Sequence, residues 1–330
     1  MTQAAIAERR AELQRMLDEA LAWPPEYASE LSNHLPMALH ALSELGASAS
    51  RMRQFAERYL ERFAGRGGGS RASRVADWLP LRGQADAYPS LRVTFEDALA
   101  RDGRDAVLRR VLPALWPGVA AAAFHGVIRT GHAAQAGHDG ELAAALAYWA
   151  WRWQPLSPPS PGAAIAAADW WQRLLAASHE AKPEGRLISH RMDRAARSRA
   201  YLELAGRLHP EPDTMANLWA FAAGCYADTG NFTVLHMVTG VRAVQVLLPW
   251  IDDPDAALRE VLHAFAAATL AAAVPARPLP PMPALDWPEI VARAIASDDD
   301  HVVKLVHASR SAEQLGIPGR FRDAAARAVG

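Results

Sequence analysis

The stretch Asp298-Asp299-Asp300-His301-Val302-Val303-Lys304-Leu305-Val306-His307 decides how this chain is read. On a helix, His301 and Lys304 lie three residues apart and therefore side by side. Lys304 is one of two lysines, with Lys182, among 35 basic side chains; the others are arginine. A chain that writes arginine almost everywhere, yet keeps lysine between Val303 and Leu305, keeps a different chemistry there. Arginine stays charged, whereas a buried lysine can lose its proton. The neutral amine can act as a nucleophile, form a Schiff base, or add carbon dioxide to become a carbamate. A carbamate is a carboxylate-like oxygen donor, fit to bind a metal. The plainer alternative is a snorkelling lysine, its stem on apolar neighbours and its head in water.

Outward from this stretch the same periodicity continues. Alanine is abundant, β-branched runs are scarce, and apolar residues recur at helical spacing with no convincing alternation. The expected fold is all-α: a large multi-helix bundle or array with Pro-rich linkers, forming one domain over residues 1–330 with its site in the helical core. Helices are expected near 3–23, 51–64, 90–100, 104–115, 117–136, 141–153, 163–177, 186–208, 212–227 and 254–273. Another, capped by Ser32-Asn33 with Pro36 in its first turn, runs to Gly46. One springs from the turn Asp228-Thr229-Gly230-Asn231 and ends near Trp250, and one opens at Trp287-Pro288 and leads toward Lys304. Residues 155–161 are the best candidate for a subdomain boundary, and 275–283 form a second Pro-rich linker. The glycine-rich loop at 65–70 follows a helix and lacks phosphate-binding spacings, so it reads as a surface loop.

Composition excludes several classes. The formal net charge is −1 over 330 residues, so there is no global pull toward nucleic acid or anionic membrane. The basic residues from Arg191 to Arg199 read as a solvated face. A single cysteine, Cys225, excludes an internal disulfide and a Cys-rich zinc site. The charged N-terminal helix is no secretory signal. The most apolar run, 264–274, is too short for a bilayer, and a cytoplasmic location is expected.

The histidines stand in distinct settings. His34 shares a helical face with Leu31, Ala38 and Ala41, whereas His40 is rotated away and reads as peripheral. His125, Arg129 and His132 share one face of an Ala-rich helix. His236 lies between Leu235 and Met237, with Thr239 and Gly240 one turn on, and Gly240 would admit a close neighbour. Four helices of small residues thus each carry a histidine in an apolar context, an arrangement suited to metal binding within a bundle. No H-E-x-x-H is present, and the lone Glu260-x-x-His263 does not make a di-iron site. A mononuclear site of several histidines and one anionic ligand suits iron, manganese or zinc, and an open position favours oxygen chemistry on iron. G-x-S-x-G, P-loop and dinucleotide fingerprints are absent, so NADPH is left open without a motif to hold it. The 11 tryptophans can supply an aromatic pocket as well as core.

Four blocks carry a resemblance. They are Ser32-Asn33-His34-Leu35-Pro36-Met37-Ala38-Leu39, Phe124-His125-Gly126-Val127-Ile128-Arg129-Thr130-Gly131-His132-Ala133, Phe232-Thr233-Val234-Leu235-His236-Met237-Val238-Thr239-Gly240, and Asp300-His301-Val302-Val303-Lys304. In this order and spacing the chain resembles the questin oxidase-like family, associated with oxygenation of aromatic polyketides, including Baeyer–Villiger-type ring opening of anthraquinones. The resemblance implies an all-helical non-haem iron oxygenase with Fe(II) held by His34, His125, His236, His301 and carbamylated Lys304. The chain departs from the family at Arg129-Thr130-Gly131-His132, where a His-Leu-Gly-Tyr pattern is expected, which puts the anthraquinone substrate in doubt but not the ligand positions. Arg129, His132 and Thr239 are the expected contacts to substrate or oxygen, with Arg129 equally read as the partner of a buried carboxylate. The implied partners are a small aromatic molecule and O2, with neither nucleic acid nor membrane; a homo-oligomer is left open. Two other readings stand beside this one: a metal-dependent hydrolase on the same carbamylated-lysine site, and a helical binding protein without catalysis.

Overall fold

Residues that favour helix and little else leave a chain few alternatives, and the computed structural model has sixteen α-helices among its described residues, 3–28, 30–63, 65 and 72–330. They are α1 (Gln3–Ala20), α2 (Leu35–Leu45), α3 (Ala49–Leu60), α4 (Tyr88–Asp102), α5 (Arg104–Leu115), α6 (His125–Ala136), α7 (Asp139–Trp151) and α8 (Ala167–Glu180). There follow α9 (Ile188–Ala195), α10 (Arg199–Leu204), α11 (Thr214–Thr229), α12 (Phe232–Leu247), α13 (Pro254–Ala272), α14 (Trp287–Ala296), α15 (Asp300–Gln314) and α16 (Phe321–Val329). The one described sheet pairs Glu26–Tyr27 with Leu31–Ser32, antiparallel. Apart from Gly65, the glycine-rich loop lies outside the described residues.

The centre is a closed ring of four helices: α2 packs on α6, α6 on α12, α12 on α15, and α15 back on α2. Outer helices cover this ring. α1 and α3 lie on α2; α7, itself covered by α4, lies on α6; α11 and α13 flank α12; α16 and α14 close over α15. Small residues let the inner helices approach. A Cβ on Gly131 of α6 would fall 2.9 Å from the Ala243 Cα of α12. Gly240, expected to admit a close neighbour, faces the Phe124 ring, with its hypothetical Cβ 3.2 Å from Phe124 Cγ.

Three expected elements differ. The helix expected over 117–136 is divided: a 3-10 turn at Trp116–Gly118 and three left-handed residues, Ala122, Ala123 and Phe124, precede α6. The stretch 186–208 divides into α9, α10 and a 3-10 turn, because Ser198 accepts from the Tyr201 N–H and caps a new start. The helix leading toward Lys304 is two helices, since Asp299 caps α15 after α14 has ended. His40, expected at the periphery, is 2% exposed. Helix α2 is surrounded by α1, α3, α6 and α15, so it has scarcely any solvent face for a rotated residue to occupy. Among the described residues one helical stretch, Phe232–Trp250, is long and apolar enough to cross a membrane, and most of it is buried inside the bundle.

Glycine substitutions test this packing. Gly131→Val should lower stability by about 1–3 kcal/mol in chemical denaturation, because the added atoms meet backbone that cannot yield. Gly224→Ala in α11, with nothing within 4 Å of the new methyl, should instead stabilise by about 0.5–1 kcal/mol.

Candidate metal centre

Each of the four central helices begins at the same place and delivers a histidine there. His34 is the N-cap of α2; the Asn33 side chain accepts from the Leu35 N–H, and the His34 N–H donates to Tyr59 Oη at 2.8 Å. His125 is the first residue of α6, aimed by the left-handed run at φ 47, 57 and 69°. That conformation costs a non-glycine residue roughly 1–2 kcal/mol, and such strain is retained where it positions something. His236 lies in the second turn of α12, whose cap Asn231 accepts from Thr233 and Val234. His301 follows the cap Asp299, which accepts its N–H at 2.8 Å.

The four imidazoles form a closed ring in the same order as their helices. Centroid separations are 4.6 Å for His34–His125, 4.8 Å for His125–His236, 5.4 Å for His236–His301 and 4.7 Å for His301–His34. At this centre, by the mutual distance of potential ligand atoms, His34, His301 and Asp300 form the tightest group, within 4.8 Å of one another, with His125 and His236 beside it. Each ring also has its Nδ1 engaged on the outside. His34 Nδ1 donates to Asp300 Oδ1 at 2.5 Å, His236 Nδ1 donates to the Phe232 carbonyl at 2.8 Å, and His125 Nδ1 donates to the Ala122 carbonyl. His301 Nδ1 lies 3.3 and 3.2 Å from the Asp299 and Asp300 carboxylates. An oxygen acceptor on Nδ1 places the proton there and leaves Nε2 as a lone pair. His125 Nε2 is buried without a hydrogen-bond partner.

The electrostatics agree with lone-pair donors. Burial, reinforced by Lys304, pushes His34 down to about 3, and burial likewise pushes His125 and His236 well below the ordinary histidine value. Lys304 is 3% exposed, its Nζ 3.3 Å from Asp300 Oδ1. Burial lowers its pKa, against the pull of Asp300. Asp300 is the residue that sequence reading passed over. One of its oxygens faces His34, His301 and Lys304, and the other accepts from Arg62 Nη1 at 2.9 Å. Burial opposes its ionisation, but the His34 N–H, Lys304 and His301 hold its carboxyl well below the usual range. Its one legible signal was the i,i+4 spacing to Lys304 on a helix.

A cleft of about 620 Å³ reaches all four imidazoles. Tyr27, Trp151, Trp153 and Phe232 give it aromatic walls, and Ser32, Glu26 and Arg152 give it polar ones. Phe232 is 52% exposed at the mouth, edge-on to His236 and tilted against His301. The three residues expected to contact substrate do not line this cleft. Arg129 is held by Glu141 through two bonds, Nε–Oε1 2.6 Å and Nη2–Oε2 2.9 Å, both side chains buried. Thr239 turns its hydroxyl back on the Leu235 and His236 carbonyls. His132 lies two turns deeper, with His40 and His307. The reason is one of depth: these residues share a helix face with a ligand candidate but sit one or two turns below the cleft floor.

Two outcomes follow. Glu141→Ala strands a buried guanidinium and should cost about 3–5 kcal/mol, with Arg129→Met in the same chain recovering much of it, read by urea denaturation. His34, His40, His125, His132, His236 and His307 are all held neutral in the folded chain. An unfolded histidine takes up its proton near pH 6.5. The stability of metal-free protein should therefore be complete above about pH 6.5 and fall as pH drops below it, seen as a urea midpoint that declines from pH 7 to pH 5.

No curated protein matches the chain. The questin oxidase-like family matches residues 31–309, a span that contains all four central helices up to Ser309. That family suggests an oxygenase acting on aromatic, polyketide-like small molecules with O2. By a match over most of its length, the chain belongs to the questin oxidase-like family.

Proposed function

We propose that the chain is a non-haem iron oxygenase for phenolic polyketide-like rings, with His34, His125, His236, His301 and carbamylated Lys304 holding the metal. The observation that carries this reading is the ring of four imidazoles, each with its Nδ1 tied to an outer oxygen or beside one. Bound iron(II) supplies oxygen activation, toward ring cleavage or Baeyer–Villiger-type insertion. Manganese or zinc suits the same donors, and oxygen consumption separates iron from zinc.

The chain's own residues prepare the site. Burial favours the neutral Lys304 amine that adds CO2. Asp300 holds the His34 proton on Nδ1, and Arg62 anchors Asp300 from the far side. Trp151, Trp153 and Tyr27 offer faces on which a planar ring stacks, while Phe232 restricts water at the mouth. Four helix starts converge on the floor, and their positive ends favour an anionic phenolate. Ser32 Oγ lies 2.6 Å from Tyr148 Oη, which donates to Glu26 at 3.0 Å. Arg152 holds the same Glu26 carboxylate through two bonds, so Ser32, Tyr148 and Glu26 form a fixed polar wall that can accept from and donate to a phenolic hydroxyl. Ring cleavage that keeps both oxygen atoms takes its electrons from the electron-rich phenol itself; Baeyer–Villiger-type insertion, which releases one oxygen as water, takes two further electrons from a reductant such as NADPH.

The test uses protein loaded with iron(II) and carbon-13 bicarbonate without air. A carbamate signal and oxygen uptake with an electron-rich polyphenol are expected. Lys304→Arg should abolish the signal and reduce uptake on the order of 100-fold, and Asp300→Asn should weaken iron binding about 10–100-fold. Unchanged iron and oxygen uptake in Lys304→Arg would refute the assignment. Tightly held zinc with no oxygen uptake would point to a hydrolase instead.

A further inference from the structure

The four helices carry a second layer. Six or seven residues after each histidine of the ring comes another polar side chain: His40 after His34, His132 after His125, Arg242 after His236, and His307 after His301. At 1.5 Å per residue these lie about 9–10 Å further down the bundle. All four are buried, at 2, 3, 2 and 5% exposure respectively. From their convergence we infer that His40, His132 and His307 form a second metal site, for a zinc-like divalent cation whose fourth ligand is an anion held by Arg242.

Three observations carry this. The ligating nitrogens of His40, His132 and His307 lie within 4.8 Å of one another. Their ring centroids are 5.1, 5.6 and 5.6 Å apart. Three imidazoles on one four-coordinate ion, each nitrogen about 2.05 Å from it, place their centroids roughly 5.2–5.6 Å apart. Second, the cluster leaves polar groups unsatisfied. His307 Nδ1 is buried without a partner, while His40 Nδ1 and His132 Nδ1 share a single hydrogen bond at 2.9 Å, an arrangement that binding of an ion by these rings would replace. Burial, aided by Arg242, keeps all three rings neutral and therefore able to ligate. Third, no described carboxylate pairs with Arg242; it contacts Gln135 and, at 3.4 Å, His307 Nε2, while its Nε and Nη1 have no partner.

The last point fixes the ligand class. A buried guanidinium needs a counter-charge, and a bare divalent ion on three neutral rings would repel it. An ion bearing hydroxide, chloride or a small carboxylate meets both needs, since the anion neutralises the ion in part and accepts from Arg242. Three nitrogens without a protein carboxylate suit zinc or cobalt better than magnesium or calcium. Access does not depend on the upper cleft. A separate cleft of about 520 Å³, lined by Glu44, Gln135, Trp287, His307 and Arg310, opens on His307, and Glu44 would draw a cation inward.

Cobalt(II) titration of the full chain tests the proposal, with zinc as competitor. Wild-type protein should take up two equivalents, one giving the intense visible bands of four-coordinate cobalt. His40→Gln and His307→Gln should each remove that equivalent and those bands. His301→Ala should remove only the other, so the two sites stand or fall separately. Azide should shift the bands in wild-type protein and leave them unmoved in Arg242→Met. Far-UV circular dichroism checks that each variant is folded. Where one is not, zinc-edge anomalous diffraction from wild-type crystals decides by the presence or absence of a peak among the three rings. One equivalent that His40→Gln leaves intact, or anion binding at Arg242 without metal, would overturn the proposal.

Discussion

A buried imidazole has two nitrogens to satisfy, and this bundle satisfies one of them locally at the start of each central helix. Helix starts expose backbone that is not yet committed to the ladder. Here the Ala122 carbonyl, the Phe232 carbonyl and the carboxylates of Asp299 and Asp300 occupy the Nδ1 side of four rings. The Nε2 side is then free to converge. Everything else serves this: the left-handed run that aims His125, the caps that fix α12 and α15, and the glycines that let α6 and α12 come together.

Charge is arranged around the same need. A bundle that brings neutral imidazoles together cannot leave free charges beside them at little cost. Asp300 is paired with Arg62 on one side and accepts from the His34 N–H on the other, with Lys304 Nζ 3.3 Å away. Arg129 and Glu141 offset each other's charge within hydrogen-bond contact, both side chains buried, and Arg129 Nη1 is left without a partner. Arg242 is the exception among these buried cations: only Glu44 acts on its charge, from beyond ion-pair distance, and its Nε and Nη1 have no hydrogen-bond partner. The parallel course of the four helices explains why the layers stack: residues two turns apart on each helix meet the corresponding residues of the other three.

Much of this was legible before any coordinates. Alanine content and helical spacing led to an all-α fold, and four histidines in apolar helical settings were recognisable as candidates for one centre. Lys304 stood out because arginine is used nearly everywhere else. Other features were not legible. The break before His125 falls in alanines that individually favour helix, so local propensity argued against it. Periodicity counts rotation about one helix axis and cannot count neighbours. It therefore put His40 at the surface, where α2 has almost none, and could not show that Arg129 and Thr239 lie outside the lining of the cleft.

The residue types, and their order along four helical segments, were enough to name the family and the elements that carry its histidines. Depth was decided only by the tertiary structure. A helix face is a stripe many turns long, and only the packing of other helices selects which turn meets a cleft, which meets a carboxylate, and which closes on the histidines of its neighbours. That selection separates the ring of His34, His125, His236 and His301 from the cluster of His40, His132 and His307, though both lie along the same four helices.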